Sequence, residues 1–458
     1  MTLPLPCSAL RLGAGLLLAG GLLAARPATA QWTAQNSGLA ANSGINNFSI
    51  VDANTVWATG FNGASTSAAY TAYTRTTNGG TTWTPGSIAA ASGYSLVSVA
   101  AVSSTTAWVA CDNLTSNGGR VYYTTDGGTT WTQQLTSGFP AASAGFVNGV
   151  LAFSATQAVA AGDPLSTTGT FEIYYTANAG TTWTAATTPA RLSNIEGGLT
   201  TTVVTVPGTS ATARACWMGT NAGRVLRSTN SGVSWTAATT GLSAVTSLAF
   251  CSATTGMALD GSAPGLIAYT TDGGATWTLR QPSGPLYTSF LSGVPGLANA
   301  FVSTGSDNNG TGSSYSVDGG TNWTDFDPGV GHSAVAFLNG TTGWSGGYAA
   351  STTSGGMFKG RLPAAVLATT SARLLAGVGV YPNPATDAFT VAVPAAAGAP
   401  QVQATLFNAL GQLVARQQAA LPATGAQLSF PTTGLAQGLY TLRVQAGDAL
   451  VSKQVSVR

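Results

Sequence analysis

Charge is what this sequence has least of. Asp, Glu, Lys and Arg make up 7% of its 458 residues, where an ordinary globular chain carries about 25%. Lys359 and Lys453 are its only lysines, Glu172 and Glu196 its only glutamates, and His332 its only histidine. A nucleic-acid binder neutralises phosphates with a basic field, and this chain has none to offer. Nor does any polybasic stretch exist to hold an anionic membrane. Solubility falls to Ser, Thr, Asn and Gln, which suits an extracellular all-β surface.

Cysteine is scarce too. Beyond Cys7 there are Cys111, Cys216 and Cys251, an odd number with no CxxC spacing. That excludes a cysteine metal site and a disulfide framework; buried inert thiols or a single disulfide remain open. No metal and no cofactor is expected. The stretch Asp307-Asn308-Asn309-Gly310 faintly resembles a calcium loop but lacks alternating ligands and a closing Glu.

Long apolar runs are absent except at the start. Arg11 precedes an apolar run over 12–25, and Ala28-Thr29-Ala30 has the small-x-small form of a signal-peptidase site. The run falls short of the roughly 20 apolar residues that span a bilayer. Cys7 lies before the run, not after it, so a lipoprotein reading fails. Residues 1–30 read as a signal peptide, and no transmembrane segment is expected afterwards. Removing Arg11 and Arg26 with it takes the formal charge of +2 to zero.

What the chain does have is a repeat. One octapeptide occurs six times: TTNGGTTW at 76–83, TTDGGTTW at 124–131, TANAGTTW at 176–183, STNSGVSW at 228–235, TTDGGATW at 270–277 and SVDGGTNW at 316–323. Their tryptophans stand 42 to 52 residues apart, a period that fits one four-stranded propeller blade per copy. In each, Asn78, Asp126, Asn178, Asn230, Asp272 or Asp318 bonds its own backbone across a turn, and Gly takes the positive φ. Trp83, Trp131, Trp183, Trp235, Trp277 and Trp323 then cover the hairpins.

These octapeptides resemble the Asp box (BNR repeat) of sialidase-like propellers, where it is an architectural device. A second frame precedes each box, as in AFCSATTGMA from Ala249 and AFLNGTTGWS from Ala336. Counting this frame gives seven units. The seventh, over about 331–362, has no box; Gln31-Trp32-Thr33 near the other end matches the strand it lacks. The expected fold is an all-β, seven-bladed β-propeller closed by its N-terminal strand over 31–362. All eleven tryptophans fall on repeat positions, which leaves none free for a carbohydrate platform. The TTGW…TTDGGTTW frame is similar to the photosystem II stability/assembly factor group.

After a linker over 363–376 the pattern changes. Strong alternation in 401–407 and 439–444 marks strands, and so short a segment suggests a small Ig-like β-sandwich over 377–458. Tyr381-Pro382-Asn383-Pro384, Leu406-Phe407-Asn408 with Gly411, Gly438-Leu439-Tyr440 and Lys453-Gln454-Val455 together resemble type IX secretion (Por-type, type A) sorting domains. The resemblance implies Pro382, Asn383, Pro384, Gly438, Tyr440 and Lys453 as sorting-motif residues, and the type IX machinery with its sortase as partners. It further implies a Bacteroidetes-like source and a chain anchored at the cell surface or released.

Function divides three ways. An unknown glycan or protein bound by the propeller is the main expectation. A sialidase-like or other Asp-box glycoside hydrolase is one alternative, but the arginine triad and Tyr/Glu pair are not recognisable. Paired carboxylates roughly 5 to 9.5 Å apart would have to come from Asp163, Glu172, Glu196 and Asp260. A Ser-His-Asp arrangement is set aside, since His332 stands alone in a Gly-rich turn. A structural or adhesive surface component is the other alternative. Loops from second to third strands and between blades collect Asp112, Arg120, Asp163, Glu172, Arg191, Glu196, Arg224 and Asp260. Among these, Asp163, Arg191, Glu196 and Arg224 are the expected ligand contacts; the plainer reading has Asp163 and Asp260 capping turns.

Overall fold

The computed structural model describes residues 32–458 except 66–67, 114–117, 141–144, 166–168, 207–214, 263–264, 308–309, 364–365, 367–376, 395–400, 423 and 447–448. The signal peptide, most of the linker and Asn308–Asn309 of the calcium-like stretch lie outside the described residues. What is described is almost wholly strand and turn; the 3-10 turns Ala89–Ala91 and Thr200–Thr202 are three residues each. No helix among them is long and apolar enough to cross a membrane.

Each repeat folds into an antiparallel four-stranded meander. Five such sheets follow in order over 95–134, 147–185, 204–239, 247–280 and 290–325. The two ends of the region form an eight-stranded sheet, in which a 43–87 half and a 334–360 half touch at the Gly44–Tyr348 pair. The outermost strand of the second half is Trp32–Asn36, paired along Ser354–Gly360 from Trp32↔Gly360 to Asn36↔Gly356.

The octapeptides sit at the turn from third to fourth strand, and their chemistry is local. In the 124–131 copy, Thr124 Oγ1 donates to Asp126 Oδ1 at 2.8 Å and the Gly128 N–H donates back to Thr124 Oγ1 at 3.0 Å. The Thr130 N–H closes the turn on Asp126 Oδ1 at 2.9 Å. Gly127 and Gly128 take φ of 77° and 86°. Where Asn stands for Asp, as at Asn78, the Thr82 N–H still closes on its Oδ1, and its amide donates to Thr82 Oγ1. Hydrogen bonds from Thr130 and Thr276 hold the Asp126 and Asp272 carboxyls down at about 2.

Packing runs between sheets. Apolar clusters join each sheet to the next, as where Trp57 and Tyr73 of the 43–87 half meet Leu96, Val99 and Tyr122. Trp217 stacks flat on Phe250 of the following sheet at 3.6 Å and donates its indole N–H to the Gly273 carbonyl at 2.7 Å. The series returns to its start: Ala334, Trp344 and Met357 pack on Ile45, Val56, Ala58 and Trp83. Second-strand Trp57, Trp108, Trp217 and Trp344 are fully buried, so backbone geometry and apolar burial account for them without a ligand.

The tail is built separately. A three-stranded sheet (Gly379–Tyr381, Ala388–Val393, Ala426–Pro431) and a four-stranded one (Leu413–Ala420, Gln401–Phe407, Gly438–Ala446, Ala449–Val457) share one apolar core. Phe389 stacks on Phe430 at its centre, 5.1 Å apart and nearly parallel.

Candidate binding and sorting sites

The four residues expected to contact a ligand meet along one connecting segment, 190–198. Glu196 is buried and takes a bidentate grip from Arg224, at 2.8 Å from Nε and 2.7 Å from an Nη. Glu196 also accepts from Thr220 Oγ1 at 2.9 Å and from the Leu192 N–H. Burial would raise its carboxyl, but Arg224, Leu192 and Thr220 outweigh that and leave it below the usual range. Arg224 donates further to the Ala190 carbonyl at 2.9 Å. Asp163 accepts from Asn148 and from the Gly198 N–H, both at 2.8 Å, and burial holds its carboxyl above the ordinary value. Arg191 is half-buried and reaches the Asn194 carbonyl at 3.3 Å. Of the four, Glu196 and Arg224 thus face each other, Asp163 braces the segment, and Arg191 is the least engaged.

The other collected charges have internal work. Asp260 is buried and accepts from the Ala244 and Ser262 N–H groups, as a turn cap does. Glu172 is buried in its sheet, accepting from the Phe139 N–H at 2.7 Å and the Tyr174 hydroxyl at 2.9 Å. Arg120 lies 4.3 Å over the Tyr94 ring. Burial pushes the Asp112 carboxyl up to about 7, the Asn113 N–H lowering it and Asp163 raising it. Among the described residues no group of three or more His, Cys, Asp or Glu gathers to hold a metal. Cys111, Cys216 and Cys251 are buried free thiols, and burial raises all three, Cys251 to about 11.

A second feature had no sequence signal. First strands of successive sheets surround a cavity of about 1110 Å³, lined by Phe48, Ile50, Val97, Phe153, Phe290 and Val335 among others. No charged side chain lines it among the described residues. Its polar groups are partly spent on neighbouring strands: Asn47 Oδ1 accepts from the Val99 N–H at 3.0 Å. Phe61 and Tyr348 meet edge to face at its margin, 5.8 Å apart.

The sequence suggested that His332 stands alone, and the structure corrects this. Nδ1 lies 2.7 Å from Ser345 Oγ, and Nε2 lies 3.6 Å from Asp327 Oδ2. The partners arrive from separate strands and turns, so spacing gave no hint of them. Both His332 and Ser345 are fully buried, where no acyl substrate reaches, and the trio is a packing element. Burial holds the imidazole down to about 4. An unfolded His titrates near 6.5, so the folded chain binds fewer protons between those values. His332 therefore contributes stability fully above about pH 6.5, and the contribution is lost as pH falls toward 4. Asp327, raised by burial, acts the opposite way, weakening the fold as pH rises through its own titration. The raised Asp112 and Asp163 carboxyls also titrate with the opposite sign, so the test is a comparison. In melting scans at pH 4.5 and 7, His332→Phe should lose less on going to the lower pH than the unaltered chain does, and an equal difference in the two removes this assignment.

In the tail, the motif residues gather on the last strand. Asn383 behaves like a strand residue through its side chain, donating to the Gln454 carbonyl at 3.0 Å and accepting from the Ser456 N–H at 2.9 Å. Pro382 and Pro384 flank it without N–H groups to satisfy. The Ala385 and Ser456 backbones then pair, and Arg458 N–H reaches the Ala385 carbonyl. Gly438 and Tyr440 lie opposite Val457 and Val455, and Lys453 opposite Leu442. The Tyr440 ring is buried and its hydroxyl donates to the Ala436 carbonyl at 2.7 Å. Residues 379–458 match the family described as secretion system C-terminal sorting domain.

The chain carries a secretion-system sorting domain. That domain, of the type IX kind, directs export and an outer-membrane or cell-surface location. No curated protein matches the chain in sequence. Among solved structures, YCF48 from Cyanidioschyzon merolae is similar at 18% identity and TM-score 0.50, over 72% of this chain and 99% of that one. YCF48 bound to D1 peptide has 17% identity and TM-score 0.49, over 73% and 98%. PorZ of Porphyromonas gingivalis, a surface component of its type-IX secretion system, has 14% identity and TM-score 0.42, over 89% of this chain and 58% of that one. The likeness to the Cyanidioschyzon merolae protein is one of fold, an all-β propeller-like arrangement.

Proposed function

We propose that this chain is an exported surface protein whose residues 31–362 form a seven-bladed β-propeller that binds a glycan or a protein. Residues 363–376 are its linker, and 377–458 a sandwich that delivers it to the type IX machinery and its sortase. What supports seven blades is the run of clusters between neighbouring sheets, which ends where it began, with Trp32–Asn36 as the outer strand of the last. What supports a sandwich is the single core shared by the two tail sheets.

The observation that carries binding is a sorting domain in the same chain as a cavity of about 1110 Å³ that no charged side chain lines among the described residues. A surface address on a propeller with such a cavity suits capture more than chemistry, because its buried carboxylates are engaged with internal donors. The polar ligand site proposed at Asp163, Arg191, Glu196 and Arg224 is supported by their meeting on one segment. Arg191, whose side chain is held only by the Asn194 carbonyl at 3.3 Å among the described residues, is its ligand contact and the other three its frame. On a glycan and peptide array, Arg191→Ala should weaken any ligand about tenfold or more, a charged hydrogen bond being worth roughly 1.5–3 kcal/mol, with melting unchanged. Full binding by that variant moves the site elsewhere. Turnover of an array glycan by the unaltered chain replaces the binding reading with the hydrolase one.

A further inference from the structure

The sorting domain exposes apolar side chains where its core has no use for them. Leu410, in the turn after Gln401–Phe407, is 82% exposed, Leu439 60% and Leu413 53%. Register places them together. Leu413 and Thr441 both lie opposite Phe407, from the strands on either side of it, and Leu439 precedes Thr441 by two residues on the same face. Leu410 and Leu439 share a shallow cleft of about 190 Å³ with Gln437 and Tyr440. Arg443 lies over the Phe407 ring at 5.1 Å and borders the patch.

This face is the solvent side of the four-stranded sheet; Val402, Leu406, Leu442 and Val444 turn the other way into the core. Toward the far end the face is polar, with Gln403 and Gln445 opposite each other, and Leu450 standing by itself at 51% exposure. Alternation of apolar-in and polar-out is the ordinary rule for such a sheet; one end breaks it with three leucines together, the other with Leu450 alone. The three-leucine end carries the chain terminus: Leu439 lies opposite Ser456, whose N–H is held by Asn383. The patch is thus continuous with the strand that Asn383 bonds and that Gly438 and Tyr440 pair with.

We propose that Leu410, Leu413 and Leu439 form the surface by which a protein of the export apparatus grips the sorting domain, through an apolar groove that accepts the three leucines. The proposal rests on the sorting reading of the tail. A sorting domain must be touched by what sorts it, and small well-packed apolar clusters dominate such contacts. Stability gives no reason for three exposed leucines at the one end that carries the motif.

The test uses the full-length chain in a type IX-secreting host, with the surface fraction read by antibody labelling of intact cells. Leu410→Ser, Leu413→Ser and Leu439→Ser combined should cut display about tenfold or more, with a protease-resistant chain accumulating in the periplasm. Leu450→Ser, on the same face at the other end, should display as the unaltered chain does. Normal display of the triple variant overturns the proposal. If the triple variant is degraded, Leu410→Lys decides, since that turn residue supports no core: retention supports the patch and normal display refutes it. Deletion of 379–458 separates the two ideas, because normal display of the deletion removes the sorting reading itself.

Discussion

Deleting residues 31–36, or replacing Trp32 by Ala, is expected to cost about 3–5 kcal/mol, as loss of a buried Trp does. Trp32 is buried in the cluster that joins the 290–325 sheet to the 334–360 strands. Its ring lies 5.3 Å from Phe326 and from His332 and 5.8 Å from Phe337, and its indole N–H donates to Ser313 Oγ at 2.9 Å. The site is shaped for it: a Cβ on Gly360 would stand 2.2 Å from the indole, so the facing position excludes any larger side chain. The deletion also bares the edge of Ser354–Gly360, which pairs with Trp32–Asn36 along all five residues. Such an edge is open to pairing with another chain. Calorimetry should show melting lowered by at least about 5 °C, and light scattering should show association. A deletion variant that melts within a degree or two of the full chain would mean the ring does not depend on its first strand.

How much of this was legible depended on range. The octapeptide turns were readable because the hydrogen bonds of each copy, such as Thr124 to Asp126 and Thr130 to Asp126, span two and four residues. The closing strand was readable because Gln31-Trp32-Thr33 imitates the local Trp-Thr pattern of the other repeats. Tail motifs were readable as strings, yet their convergence on 453–458 was not: Asn383 and Ser456 are 73 residues apart. The cavity left no trace, since each first strand contributes a few ordinary apolar and small polar residues. The partners of His332 were hidden for the same reason. With Glu196 and Arg224 the sequence offered a usable signal that pointed inward. Arg224 opens the strand Arg224–Ser228, whose neighbours Val225 and Leu226 are buried. An arginine there is buried only if paired, and in a chain with two glutamates the candidates were few.

That pair supplies the other large effect. Arg224→Ala leaves the Glu196 carboxylate buried without its cation, and Glu196→Ala strands the guanidinium; either should cost about 3–5 kcal/mol. The loss should be local first. Arg224 and Glu196 between them hold the Ala190 carbonyl and the Leu192 N–H, so hydrogen exchange over 190–198 should rise before the whole ring loosens. Replacing both together, with Glu196→Leu and Arg224→Met, removes the desolvation penalty along with the attraction. The double variant should therefore recover much of the stability lost by either single one. This separates a strut from a ligand contact. A strut gives single variants that melt early and a double variant that melts near the parent while keeping the 190–198 segment in place. Groups kept for a ligand would let the single variants melt with the parent and fail only in binding, and that outcome would return Glu196 and Arg224 from the frame of the site to its contacts.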